Sequence, residues 1–148
     1  MSDLKVLKWA FTILGILGIL VGLWMHFAGP LFYRVHAVEV VRAEPGAAKI
    51  TFERTVLVAA DAKCHNELHC LIDGMDTVYA IDSAHGCPLE SGWHLFAITL
   101  PLPTQAFNGA DSAICYIVGA VAFSPLGELL PPVSILWQTP TFLAEPGR

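Results

Sequence analysis

Charge is scarce in this chain. Only 14% of its 148 residues are Asp, Glu, Lys or Arg, while 55% are hydrophobic. That balance is incompatible with a disordered polypeptide. Residues 9–29 (WAFTILGILGILVGLWMHFAG) hold no Asp, Glu, Lys or Arg at all. Beyond position 34 it is basic charge that is missing: five basic residues (Arg42, Lys49, Arg54, Lys63, Arg148) stand against twelve acidic ones. No basic stripe is available to neutralise phosphates, so nucleic-acid binding is not expected. G-x-S-x-G, H-E-x-x-H, P-loop and G-x-G-x-x-G motifs are absent as well. The chain therefore reads as a non-enzyme without a cofactor. It has no internal repeat and no low-complexity stretch.

What the chain does have is an uncharged run long enough to matter. Twenty-one helical residues rise about 31 Å, the thickness of a bilayer's hydrocarbon core. Trp9 stands at one end and Trp24, Phe27 and Tyr33 at the other, where aromatic rings favour the two interfaces. Gly29-Pro30 predicts the end of the helix. Lys5, Lys8 and the amino terminus precede the run, and only Arg34 follows it closely. The positive-inside rule then puts the N-terminus in the cytoplasm and the rest outside, anchored in the inner (cell) membrane. A cleaved signal peptide is the rival reading, but its apolar region is shorter and is followed by small residues, whereas Met25, His26 and Phe27 are large. No lipobox-type cysteine follows the run. Gly15, Gly18 and Gly22 lie within it, and Gly18 and Gly22 form a G-x-x-x-G pair. That face could bring two helices together in a homodimer, although glycine is common in membrane helices generally.

The remaining residues, 35–148, are of single-domain size. Residues 1–34 form the cytoplasmic stub and the span. After Gly29 no stretch sustains a helical period. Residues 35–42 are rich in β-branched side chains, and Glu44-Pro45-Gly46 marks a turn. Along residues 49–59, Ile50, Phe52, Val56 and Val58 share one face, with Thr51, Glu53 and Thr55 opposite. Arg54 interrupts the apolar face and is read as paired with a carboxylate or seated at a bulge. Further strands are expected at 69–72, 77–81, 93–100, 113–123 and 133–139. The last two would form a hairpin across the Pro-containing connection 124–132, a loop suited to binding. The fold class is thus mainly β: one N-terminal transmembrane helix followed by an antiparallel immunoglobulin-like β-sandwich. Residues 31–34 are too few for a flexible linker, so the domain should sit close to the membrane. The tail, residues 143–148, should fray.

All four cysteines, Cys64, Cys70, Cys87 and Cys115, follow the span. Even number, small domain and export argue for two disulfides. Three pairings exist; we lean to Cys64–Cys70 closing a local loop and Cys87–Cys115 tying a loop to a core strand. The sharper alternative is zinc bound by Cys64, His65, His69 and Cys70, with His85 and Cys87 further on. Adjacent ligands are poor spacing for a structural site, and an oxidising compartment favours disulfides.

Other candidates read as ordinary structure. Asp73, Asp76 and Asp82, with Gly74 among them, lack the spacing of a calcium loop and read as turn acids. His26 falls at the outer interface, His36 and His94 in strands, and His65, His69 and His85 in or near loops. None is tied to a serine or aspartate by a recognisable pattern. Trp93 and Trp137 read as core residues.

The basic N-terminus, single span, extended segment 35–42, strand Ile50-Thr51-Phe52-Glu53-Arg54-Thr55-Val56 and Cys-containing sandwich together resemble small membrane-anchored proteins of unknown function from tailed phages and prophages of proteobacteria. The resemblance covers architecture and about seven residues of pattern; Cys64-His65 and His69-Cys70 depart from it. It implies a host inner-membrane or virion-associated role and no chemistry. The leading expectation is a membrane-anchored module that binds an unidentified protein partner or builds a structure. The alternatives are a metal-binding or redox protein using the Cys64/His65/His69/Cys70 cluster, and an accessory subunit of a larger membrane complex.

Overall fold

The structure, a computed structural model, describes residues 3–81 and 85–147, with side chains for 5–81 and 86–147. Asp82, the side chain of His85, and Arg148 lie outside these. One helix, α1 (Asp3–Phe32), precedes nine strands among the described residues: β1 (Tyr33–Glu44), β2 (Ala47–Val56), β3 (Ala60–Ile72), β4 (Met75–Ala80), β5 (His85–Leu89), β6 (Gly92–Pro101), β7 (Ala113–Phe123), β8 (Val133–Gln138) and β9 (Phe142–Ala144). Strands β1-β2-β6 form one sheet and β4-β3-β7-β8 the spine of the other. Strand β5 pairs with the first part of β3, and β9 with the start of β7. All pairings are antiparallel. The arrangement is sandwich-like and mainly β, as the sequence predicts.

The alternation along each strand accounts for the layering. On β2, Ala48, Ile50, Phe52, Arg54 and Val56 are buried while Lys49, Thr51, Glu53 and Thr55 face outward. On β7, Ala113, Cys115, Ile117, Gly119, Val121 and Phe123 are buried. Tight turns fix the registers. Gly46, after Pro45, takes φ +78°, which only glycine adopts without strain, and closes the β1–β2 hairpin. Asp73 and Gly74 both have positive φ, the two-residue turn that matches strand twist, between β3 and β4.

Several expected boundaries change. The helix does not stop at Gly29-Pro30 but runs to Phe32, with Pro30 inside it. Proline there removes one N–H from the last turn, a cost that packing offsets: Ala28 and Gly29 are buried, and the Leu57 amide donates to the Phe32 carbonyl at 2.8 Å. Strand β1 then begins at the next residue, so Tyr33 and Arg34 belong to the sheet rather than to a connection. The tail is also held, not frayed: β9 pairs with β7, and the Gly46 amide donates to the Glu145 carbonyl at 2.9 Å.

The core forms two clusters. One, far from the helix, gathers Ile50, Leu68, Phe107, Ile117 and Trp137. The other joins Ala28 and Tyr33 to Val56, Leu89, Phe123 and Val133. It welds the end of α1 to the sandwich. Trp137 is core, as expected. Trp93 is not: it is 59% exposed on the outer face of β6, opposite Thr55.

Candidate functional site

Strand β3 decides the fate of the CHNELHC segment. It is far longer than residues 69–72, so His65 and His69 lie in a strand and not in loops. Successive side chains of a strand point to opposite faces. Leu68 and Cys70 are therefore buried with Asn66, and Cys64 packs against the core, while His65, Glu67 and His69 look outward. The two thiols and the two imidazoles of the zinc alternative are thus on opposite faces of one sheet. Both sulfurs are also consumed: Cys64 is bonded to Cys87 and Cys70 to Cys115. Among the described residues no three His, Cys, Asp or Glu side chains converge to hold a metal ion.

All four cysteines form disulfides, but the pairing we favoured from sequence is overturned. Cys64 and Cys70 lie six positions apart on one extended strand, about 20 Å. A disulfide needs Cα atoms within about 7 Å. Cys70 and Cys115 instead face each other directly in the β3–β7 ladder, with Cα atoms 4.1 Å apart. Cys64 reaches Cys87 on β5 across 5.9 Å. Both bridges join strands within one sheet, unlike the inter-sheet bridge of antibody domains.

On the outer face, three strands bring five polar side chains together. His65 Nε2 lies 3.0 Å from Glu67 Oε1. His69 sits between two carboxylates, with Nε2 3.4 Å from Glu67 Oε2 and Nδ1 3.3 Å from Asp76 Oδ2. Tyr116, opposite His69 in the β3–β7 register, stacks on its ring at 4.8 Å and donates its hydroxyl to Asp76 at 3.3 Å. The hydrogen bond from His65 holds the Glu67 carboxyl below its ordinary value of 4.5; partial loss of water opposes this, and His69 adds to it. The Tyr116 phenol is raised, first by loss of water and then by the Asp76 charge. A neutral imidazole has one N–H and can donate to one neighbour, whereas the imidazolium donates to both. His69 therefore bridges both carboxylates only when protonated. The row presents donors, acceptors and a stacked ring, bordered by exposed Leu71, Val78, Ile114 and Leu143.

Between the sheets lies a second unusual group. Arg54 is 7% exposed, and among the described residues it forms no ion pair; as one of the two sequence readings has it, it sits at a bulge, opposite the β1 irregularity where Val35 pairs with it and Ala37 already pairs with Glu53. Its guanidinium rests over the Phe96 ring at 4.2 Å and near Tyr33 at 5.7 Å. Electrostatic attraction to the ring faces offsets part of the cost of burying the charge. Phe52 stacks between Phe96 and Trp137 beside it, at 5.3 and 5.7 Å. A cavity of about 240 Å³ opens there, lined by Tyr33, Arg54, Asn66 and Trp137 among others.

The other candidates are scattered. Asp73 occupies the β3–β4 turn; Asp76, read as a turn acid, belongs to the outer row. His36 meets the Thr55 hydroxyl at 2.7 Å, and His94 the Glu90 and Ser91 carbonyls. Side chains added at Gly15, Gly18 or Gly22 would meet no atom of the chain. Glu67 and Tyr116 were missed in the sequence. The signal for Glu67 was the His65-x-Glu67-x-His69 alternation, visible once 64–70 is read as a strand. Nothing local indicates Tyr116, which arrives through the β7 register.

No family model matches the chain, and no curated protein matches it. Among solved structures, the sporulation control protein Spo0M of Bacillus subtilis is similar at 13% identity with a TM-score of 0.38, over 79% of this chain and 50% of that one. The chain thus spans about half the length of that protein.

Proposed function

We propose that the chain is a membrane-tethered module whose sandwich lies outside the cytoplasm and binds a protein partner, or builds an envelope or virion-associated assembly, through the outer face of the six-stranded sheet. The observation that carries this is the row His65–Glu67–His69–Asp76–Tyr116, cross-linked by hydrogen bonds and bordered by exposed apolar side chains. Exposed apolar side chains beside hydrogen-bonding groups favour a binding surface. The apolar α1, the lysines in its first turns and the oxidised cysteines are consistent with an N-terminus in the cytoplasm and a domain in an oxidising compartment.

Photo-crosslinking from Leu71 and Val78 in cells tests it. A discrete adduct from these positions, absent from Leu95 on the opposite sheet and lost with His69→Ala, is expected. Equal labelling from both sheets, or none, would reject it. A second reading, self-association through α1, rests on the open Gly15, Gly18 and Gly22 face; Gly18→Ile should abolish a disulfide-independent dimer in detergent.

A further inference from the structure

The charge-free part of the anchor, which starts at Trp9, is long enough to cross a bilayer only if the last turns of the helix are counted, and those turns are packed on the sandwich. Residues 9–23 are exposed throughout and rise about 22 Å. A hydrocarbon core is about 30 Å thick. The missing length must come from residues 24–32, which add about 13 Å. Along one side of that segment, the Trp24 indole donates to the Pro131 carbonyl at 3.1 Å, Gly29 abuts Ile135, and the Phe32 carbonyl accepts from Leu57. Away from the Gly29 side, Phe27 and Leu31, one turn apart on one flank, are exposed and apolar, as lipid-facing residues are.

A segment with lipid on one side and protein on the other brings the protein to lipid depth. These contacts also rank the loops. The β7–β8 connection, held at Trp24, is about 12 Å nearer the membrane centre than the β2–β3 loop held at Phe32. The deeper loop exposes Leu126 (48%) and Leu129 (89%). The shallower level exposes Leu57 and, on neighbouring β6, Trp93, a residue that favours interfaces. Glu128, the one charge in the deep loop, limits insertion to the headgroup region, since charge in the hydrocarbon is costly.

We infer that the sandwich is seated in the outer interface of the bilayer, with Leu126 and Leu129 inserted among the lipids beside α1. This rests on the reading of α1 as a membrane span. The occupant is lipid, because the surface is continuous with the lipid-facing side of the helix.

The test uses full-length protein in phosphatidylcholine–phosphatidylglycerol nanodiscs. The four native cysteines stay oxidised, and single L17C, L126C, L129C and L143C variants carry an environment-sensitive fluorophore. Lipids with quenchers near the headgroup should quench positions 126 and 129 several-fold more than position 143, which lies at the far end of the sandwich. Position 17 should be quenched by deep probes. Quenching at 17 with 126 and 129 as water-exposed as 143 would overturn the inference and leave the span intact. A label at 129 shielded from water but unquenched by lipid would put protein against the loop, and overturns it too. No quenching at 17 would remove the span, and this inference with it.

Discussion

Strand β3 carries two rows of side chains with opposite lives. The inward row, Cys64, Asn66, Leu68 and Cys70, is fixed by two covalent bonds and by core packing. The outward row, His65, Glu67 and His69, is held only by hydrogen bonds that water can replace. Seven consecutive residues therefore contain the firmest and the most adjustable parts of the domain, separated only by the strand's period of two. Helix α1 repeats the contrast lengthwise. Gly15, Gly18 and Gly22 face open space, but a Cβ at Gly29 would lie 2.6 Å from Ile135 Cδ1. One residue type thus marks a free surface at one end and a close approach at the other.

The contrast can be broken from the inside first. Replacing both Cys70 and Cys115 with Ala opens a 45-residue separation. Chain entropy sets the loss at about 4 kcal/mol, and about 3 kcal/mol for the 23-residue Cys64–Cys87 pair. Denaturant titration of the full chain in detergent should show both, in that order; a larger effect at Cys64–Cys87 would contradict the ranking. Next comes Gly119→Ala on β7, whose Cβ would overlap the Trp137 indole. Overpacking there should cost about 3 kcal/mol and disturb the near-ultraviolet circular dichroism of the tryptophans. Along the helix, Gly18→Ala should raise monomer stability by up to about 1 kcal/mol through helix propensity, a gain that crowding against Ile135 should cancel for Gly29→Ala. Equal effects at the two glycines would erase the difference between the packed and free parts of α1.

The smallest effect belongs to the outward row. Glu67 holds its carboxyl below 4.5 in the folded chain, so the unfolded chain takes up that proton first as pH falls. Its contribution is complete above the ordinary value and lost as pH drops through the depressed one. Glu67→Gln should flatten this acid limb while changing stability at neutral pH by no more than about 1 kcal/mol, as for exposed ion pairs. An unchanged acid limb would separate Glu67 from its histidines.

The apolar N-terminal helix, the acidity of the domain, its strand-rich character and most strand positions were legible in the sequence. Each depends on hydropathy and short periods that neighbouring residues carry themselves. Strands β5 and β9 were not, because His85–Leu89 and Phe142–Ala144 are too short to show a period and exist only as partners of β3 and β7. The start of β3 was hidden by polar residues, which spacing alone cannot assign to a strand. The cysteines announced oxidation but not their pairing, since pairing is set by which strands lie side by side. Arg54 was visible as an anomaly, but its aromatic partners Phe96 and Tyr33 come from β6 and β1. Local chemistry along the chain thus determined what each segment is. Only the tertiary structure decided what each segment meets, because registers between distant strands, and the packing of α1 on β8, are settled by the summed burial of the whole domain.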